Sequence, residues 1–479
     1  MRLITYNSVC LWVVILLSGC AVGPDFKAST LPSDQHPMTR AGFSEQTDAG
    51  APVQRWDSHH EVTNPWWKSW GSAHLNALIE TAFKHNPTLQ SAEAALRQAH
   101  ENTAAQFSSY FPTLQAGYTP SRQSVSNTLA SPLNTPSNPF NLQTAQLSIS
   151  YAPDVFGLNH RWVESLQAQE AIQRDQLDAA HLTLASSLVA AAIQESALLA
   201  QIQATQTAQE DLNRLLSITT QAQRLGDATG LDVLTAQTVL AQWQQTLPPL
   251  EKQLEQTRDL VAVLTGQRPD ENRDADFSWG ELTGTDTVPI GLPSQLVRNR
   301  PDVRAAEEQV HAASALVGVA VANRFPQFSL SAAYGGSSTS WSSMFRPNNA
   351  FWILSGSASM SLFDFGGLRH RQRAAEAALD QTQAQYRAVV LQAFQGVADA
   401  LYAADSDAKL EAASRKVETA AGNAYHLAQR QFEAGAVNMT TVLNLEIAYQ
   451  QARIATVQAQ AQRLTDTVAL YQALGGNWH

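Results

Sequence analysis

Four short signatures occur twice in this chain, in the same order and at nearly constant separation. Pro87-Thr88-Leu89 with Ala92-Glu93 returns as Pro301-Asp302-Val303 with Ala306-Glu307. Tyr110-Phe111-Pro112-Thr113-Leu114 returns as Arg324-Phe325-Pro326-Gln327-Phe328, and the prolines of both pairs stand 214 residues apart. Asp154-Val155-Phe156-Gly157 matches Phe363-Asp364-Phe365-Gly366, and the stretch from Leu225 to Leu234 matches the one from Ala434 to Leu443, both 209 residues on. A chain of 479 residues would ordinarily be divided into about three domains. Four ordered repeats instead make it one supersecondary unit duplicated. The first repeat covers about 73–265 and the second about 294–474, with a linker at 266–293 and a tail at 475–479.

Each half reads as helix, two strands, a very long helix, a short turn and a further helix. The opening helix follows Pro87 or Pro301, a residue suited to a first turn. It stops before Pro112 or Pro326, which drives the preceding residue to extended backbone. Period-2 alternation follows at about 112–121 and 143–153, then at 326–335 and 351–363. Trp352, Leu354, Ala358, Met360 and Leu362 share one face of the last strand, and Ser355, Ser357, Ser359 and Ser361 share the other.

An apolar face opposed by Ser and Gln over about ten residues is the pattern of a transmembrane β-barrel wall. A sandwich with one wet face gives the same alternation. Trp341, Phe345, Phe351 and Trp352 lie near strand ends, where an aromatic girdle would stand. Four strands do not close a barrel, since known ones begin at about 8, and an open edge in hydrocarbon is not tolerated. If the strands span a membrane, several chains must pool them. Three chains would supply twelve.

From about Gly367 to Phe432 there is no proline, so at ~1.5 Å per residue the helix is roughly 95–100 Å long. Leu410, Ala413, Val417, Ala420, Ala424 and Leu427 step by three and four, a heptad-like seam expected to pack on the helix after Gly435 through Val442, Leu445, Ala448, Ala452 and Val457. The first half repeats this from about Ser165 to Arg224 and from Leu231 to Gly266. Pro248-Pro249 is expected to end or kink that second helix.

Composition and the amino terminus fix the compartment. Arg2 and the apolar run Leu11–Leu17 lead into Leu17-Ser18-Gly19-Cys20, which looks like a signal peptide (1–19) with a lipobox, leaving Cys20 as a lipidated amino terminus. Residues 20–72 then read as an extended segment. No later window offers the ~20 apolar residues of a transmembrane helix. With 31 basic against 42 acidic residues the net charge is −11, which argues against nucleic acid as a partner. Two cysteines, one of them inside the signal peptide, exclude a disulfide framework. Only 15% of residues are charged; Ala, Gln, Ser and Thr fill the gap, as suits close-packed helices and a wetted bore.

The duplication, Arg224-Leu225-Gly226 with Asp232-Val233-Leu234, Gln431-Phe432-Glu433-Ala434-Gly435 with Val442-Leu443, and the Phe-Gly after the second and fourth strands resemble the TolC-like outer-membrane efflux factors. The lipobox, the stretch from Asn64-Pro65-Trp66-Trp67 to Leu89, and Ala473-Leu474-Gly475-Gly476-Asn477-Trp478 resemble their NodT/OprM-type lipoprotein branch. The resemblance covers nearly all of the mature chain. It implies a mainly α protein with a transmembrane β-barrel section: a trimeric channel-tunnel with four strands and two long helical hairpins per chain. It implies a lipid-anchored outer-membrane location in a Gram-negative bacterium, projection into the periplasm, and passive export of small molecules. The implied partners are a periplasmic adaptor and an inner-membrane pump, of RND type. The other expectations that stand beside this are a type I protein-secretion duct and a lipid-anchored periplasmic coiled-coil scaffold.

By the same resemblance Gly226 and Gly435 sit at the hairpin tips where an adaptor docks. Positions that narrow the closed aperture in relatives fall on Asp232, Thr441 and Asn444; only Asp232 keeps a carboxylate, and the expectation is that rings of Asp232, bridged by Arg224 or Arg430, restrict the tip. The alternative for Asp232 is a first-turn acid favoured by the helix dipole. No enzymatic activity, metal or cofactor is expected beyond the acyl and diacylglyceryl lipid on Cys20. Asp364-Phe365-Gly366 lacks the companion motifs of a kinase and reads as a strand-to-helix corner. The segment from Gly226 to Gly230 lacks the lysine of a phosphate loop, His59-His60-Glu61 has no further ligands nearby, and His311 reads as structural.

Overall fold

A computed structural model describes residues 21–27, 55–57, 65–126, 137–270, 277–282, 287–289 and 297–476. The signal peptide, Cys20, Asn64, Asn477, Trp478 and the His59-His60-Glu61 cluster lie outside the described residues. In chain order the elements are β1 (Arg55–Asp57), α1 (Ala73–His85), α2 (Pro87–Phe107), β2 (Thr113–Gln123), β3 (Phe140–Tyr151), α3 (Leu158–Leu225), α4 (Gly230–Leu264), β4 (Thr287–Pro289), α5 (Pro301–Ala322), β5 (Gln327–Ser338), β6 (Ala350–Ser359), α6 (Gly367–Glu433) and α7 (Met439–Ala473). The two longest helices, α3 and α6, have 68 and 67 residues.

The chain divides into two compact units. The first takes the described residues of Met1–Ser29, Leu96–Gln173 and Ala306–Tyr386. Its centre is an antiparallel sheet in the order β2-β3-β5-β6. Strands β2 and β6 are its edges. The fourth strand ends at Ser359, short of the expected 363, because Met360 to Gly366 form the corner that turns the chain into α6.

The second unit takes the described residues of Thr30–Ala95, Arg174–Ala305 and Arg387–His479. Its main core gathers Trp66, Trp70, Leu75, Ile79, Leu188, Ile193, Val468 and Tyr471. Trp66 stacks on Tyr471 with ring centroids 5.3 Å apart. The amino-terminal segment expected to be merely extended thus also supplies a helical turn (Trp66–Trp70) and a strand, β1, which pairs in parallel with β4 of the linker.

Three expectations need correction. Pro248-Pro249 does not end helix α4, which continues from Gly230 to Leu264 with both prolines inside it. Both prolines are exposed, so the carbonyls deprived of an N–H partner face outward, where the loss is least costly. Helix α3 does contain a window apolar enough to cross a membrane, but 72% of that window is buried within the chain, as the main core requires. The third concerns the seam on α6. Leu410, Val417 and Leu427 are exposed by about half or more. The face that α6 turns toward its own chain is instead marked by the buried residues Asp407, Glu411, Tyr425 and Ala428. Three-and-four spacing defines a stripe; it does not say whose helix covers it.

Candidate functional site

The sheet of the first unit has two chemically opposite faces. Leu114, Ile149, Ala332 and Leu354 form one cross-strand row, and Ala116, Leu147, Tyr334 and Trp352 the next on that face. Thr113, Ser150, Ser331 and Ser355 form a row on the other face. There the hydroxyls pair across strands: Thr113 with Ser150 at 2.7 Å, Ser329 with Ser357 at 2.8 Å, Ser331 with Ser355 at 2.7 Å and Thr144 with Ser337 at 3.0 Å. Each pair satisfies polar groups sideways while leaving them open to water.

The apolar face is bare as well. Leu354 is 74% exposed and Trp352 75%, whereas a sandwich would cover such side chains with a second layer. An uncovered apolar face on strands of this length suits hydrocarbon. Toward the β5–β6 loop, Trp341 makes edge-to-face contacts with Tyr118 (5.0 Å) and Phe345 (6.0 Å), an aromatic cluster on the same sheet as the expected girdle.

The hairpin tips are built alike. Gly226 (φ 87°) and Gly435 (φ 71°) adopt the left-handed backbone that ends α3 and α6. Asp227 N–H donates to Ala222 O at 2.9 Å, and Ala436 N–H to Gln431 O at 2.8 Å, closing the helix ends in a Schellman arrangement. The next helix is then capped by Thr229 or Asn438, again 209 residues apart.

The Asp232 carboxylate belongs to this cap. Its Oδ2 accepts from Thr229 N–H at 2.8 Å and from Thr229 Oγ1 at 2.7 Å, while Asp232 N–H donates to Thr229 Oγ1 at 3.2 Å. This is a capping box, and the bonds from Thr229 hold the carboxyl below its usual range. At the second tip Thr441 takes the same position, its N–H and Oγ1 both donating to Asn438 Oδ1 at 3.0 and 2.7 Å. Asn444, Arg224 and Arg430 are exposed. Among the described residues no ion pair within the chain joins Asp232 to Arg224 or Arg430. Around the first turn Leu225, Leu231 and Leu234 are 77%, 72% and 61% exposed, an apolar collar that the sequence reading did not single out.

Two further placements bear on the anchor and the corners. Residues just after Cys20 are fixed to the first unit: Val22 N–H donates to Phe156 O at 3.2 Å, and Arg161 donates to Asp25 Oδ1 at 2.7 Å. Phe26 stacks on His311 at 4.4 Å, and the His311 ring nitrogens face Glu308 and Glu164 at 3.0 and 3.2 Å, a structural role as expected. At the second corner Asp364 accepts from the N–H groups of Gly366 (3.0 Å) and Leu368 (2.6 Å) and so caps α6. No signal in the sequence had identified the Arg161 clamp.

Comparison with known proteins gives a reading on independent grounds. The model of a family described as "Outer membrane efflux protein" matches residues 78–267 and 292–476. The pyoverdine export outer membrane protein OpmQ of Pseudomonas putida is 31% identical over 426 residues, 86% of this chain and 88% of that protein. Outer membrane protein OprJ of Pseudomonas aeruginosa is 26% identical over 481 residues, 100% of this chain and 97% of that one. Among solved structures, the outer-membrane channel OprN superposes with a TM-score of 0.84 at 27% identity, over 96% of this chain and 100% of that chain. The open-state MtrE channel of Neisseria gonorrhoeae shares the fold, with a TM-score of 0.81 at 23% identity over 96% and 98% of the two chains. The chain therefore belongs to the outer membrane efflux protein family and is an outer-membrane efflux channel of the channel-tunnel fold.

Proposed function

We propose that three copies pool their strands into one twelve-stranded barrel, and that the assembly is a passive duct for small molecules. One observation carries this reading: a four-stranded sheet with a bare apolar face, a hydroxyl-lined opposite face and two unpaired edges. Such a sheet is stable in a bilayer only if both edges are paired. The exposed seam of Leu410, Val417 and Leu427 supports the same conclusion, since a heptad stripe left bare by its own chain is a surface for another helix.

The duct is filled from an inner-membrane pump of RND type through a periplasmic adaptor. The adaptor docks at the tips around Gly226 and Gly435, where the collar of Leu225, Leu231 and Leu234 supplies the apolar contact. Asp232, Thr441 and Asn444, with Arg224 and Arg430 beside them, line the narrowest point of the closed tip. Cys20 carries the lipid, and the clamp of Val22, Asp25 and Phe26 on Arg161 and His311 fixes where that lipid enters the membrane. Names of relatives such as pyoverdine export and toluene efflux proteins point to small organic cargo.

The test is extraction of the full-length protein in mild detergent. The proposal expects an oligomer of three copies that resists SDS until heated. A water-soluble monomer that needs no detergent would overturn it and return the scaffold reading.

A further inference from the structure

Phe365 is unusual in two respects. It is 90% exposed, and among the described residues it is the one non-glycine with left-handed backbone, at φ 53°. A bulky residue is strained there, and such strain persists where surrounding contacts over-determine it. Among the described residues only Phe363 contributes a ring contact, at 4.6 Å, and Phe363 and Leu362 are themselves 76% and 87% exposed.

The internal repeat identifies what is missing. Phe365 is the second-half copy of Phe156, 209 residues on. Phe156 is stacked on Phe325, with centroids 4.7 Å apart and planes at 25°, and lies 6.4 Å from Phe328. Phe325 and Phe328 are in turn copies of Phe111 and Leu114, 214 residues earlier. Those two are 59% and 67% exposed. The contact from the first corner onto the second repeat is therefore filled within the chain. The matching contact, from the second corner onto the first repeat, has both its surfaces present and both bare. They lie just beyond the end of β6 and at the start of β2, the opposite edges of the sheet, so a second copy is what brings them together.

The strand register agrees. In the β3–β5 ladder Tyr151 faces Leu330, Ile149 faces Ala332 and Ser148 faces Ala333. Carried over by the two offsets, these become Met360 against Ala116, Ala358 against Tyr118, and Ser357 against Thr119. Apolar positions meet apolar positions and hydroxyls meet hydroxyls. A register shifted by one residue would invert every pair.

We propose that Phe365 of one copy stacks on Phe111 of the next and covers its Leu114, and that this joint sets the register of β6 against the neighbour's β2. The inference rests on the oligomeric-channel reading and adds the residues and alignment of its seam. The occupant is another copy of this chain rather than a lipid surface. An interfacial aromatic anchor needs no left-handed backbone, nor a bare counterpart of Phe325 on the opposite edge.

The test places the photoreactive analogue p-benzoyl-phenylalanine at position 365 of the full-length protein in outer membranes, with two differently tagged copies co-expressed. Irradiation is expected to give covalent links between tags, with the adduct on the peptide containing Phe111. The reciprocal probe at position 111 is expected to label the peptide containing Phe365. A probe at position 156 serves as the internal standard, labelling the peptide of Phe325 in the same chain. Adducts from 365 confined to lipid or to its own chain, in protein that still migrates as an SDS-resistant oligomer, would overturn the joint and leave the channel reading standing. If the unsubstituted protein forms no oligomer at all, both fall together.

Discussion

Asp232 separates two roles that a single substitution to alanine would confound. Its carboxylate closes a capping box with Thr229, which supports the helix start. Asp232→Asn keeps an acceptor oxygen for Thr229 and removes only the charge. A charge ring at the tip predicts that Asp232→Asn and Asp232→Ala both raise single-channel conductance. A purely local cap predicts that neither changes it and that only the alanine lowers the melting temperature. Asp407 offers a second residue-scale test. It is buried on α6, its Oδ2 finds no donor among the described residues, and burial and then the Asp466 carboxyl push it up to about 7, against an opposing pull from Arg463. Arg463 is shared with the fully buried Glu411. An acid whose folded pKa is raised keeps its proton after the unfolded chain has lost it, so stability falls as pH climbs from about 4 to 7 and stays reduced above. Asp407→Asn is thus expected to stabilise at pH 8 by up to about 4 kcal/mol, with the gain vanishing below pH 4 in thermal melts. Neither the Thr229 cap nor the Asp407–Asp466 pair was legible beforehand, for different reasons. Thr229-x-x-Asp232 is a local signature that a functional reading of the acid had overshadowed; the second pair joins residues 59 apart in sequence.

At the scale of elements, the long helices and alternating strands were open to reading because each follows one period over many residues. The repeat supplied their order. What periodicity did not disclose was the partner of each face. The stripe of Leu410, Val417 and Leu427 was expected to meet α7 of its own chain and instead stands bare. Both stripes on α6 obey helical spacing, and the one turned inward carries Asp407 and Glu411, whose polarity disguises it as a surface. If the bare stripe is the seam between copies, Leu410→Asp with Val417→Asp is expected to abolish the SDS-resistant oligomer. Far-ultraviolet circular dichroism should stay unchanged, since both side chains are more than half exposed in their own chain. Loss of helix signal instead would mean that the stripe serves the fold of the single chain. Pro248 and Pro249 carry the same lesson in reverse. A strong local breaker sits inside α4 because its orphaned carbonyls face outward.

For the whole molecule, the family match makes the chain an outer membrane efflux protein, and the duplication and four strands per chain agree with it. The amphipathic sheet is the feature on which everything else depends, because a sheet bare on its apolar face and open at both edges has no stable existence as a soluble monomer. The most direct measurement is conductance of the purified, full-length protein in planar lipid bilayers. The account predicts discrete, lasting conductance steps from the unheated oligomer and none after it is dissociated by heat. Stable incorporation of the oligomer without any ion current, or current that survives dissociation into single chains, would contradict it.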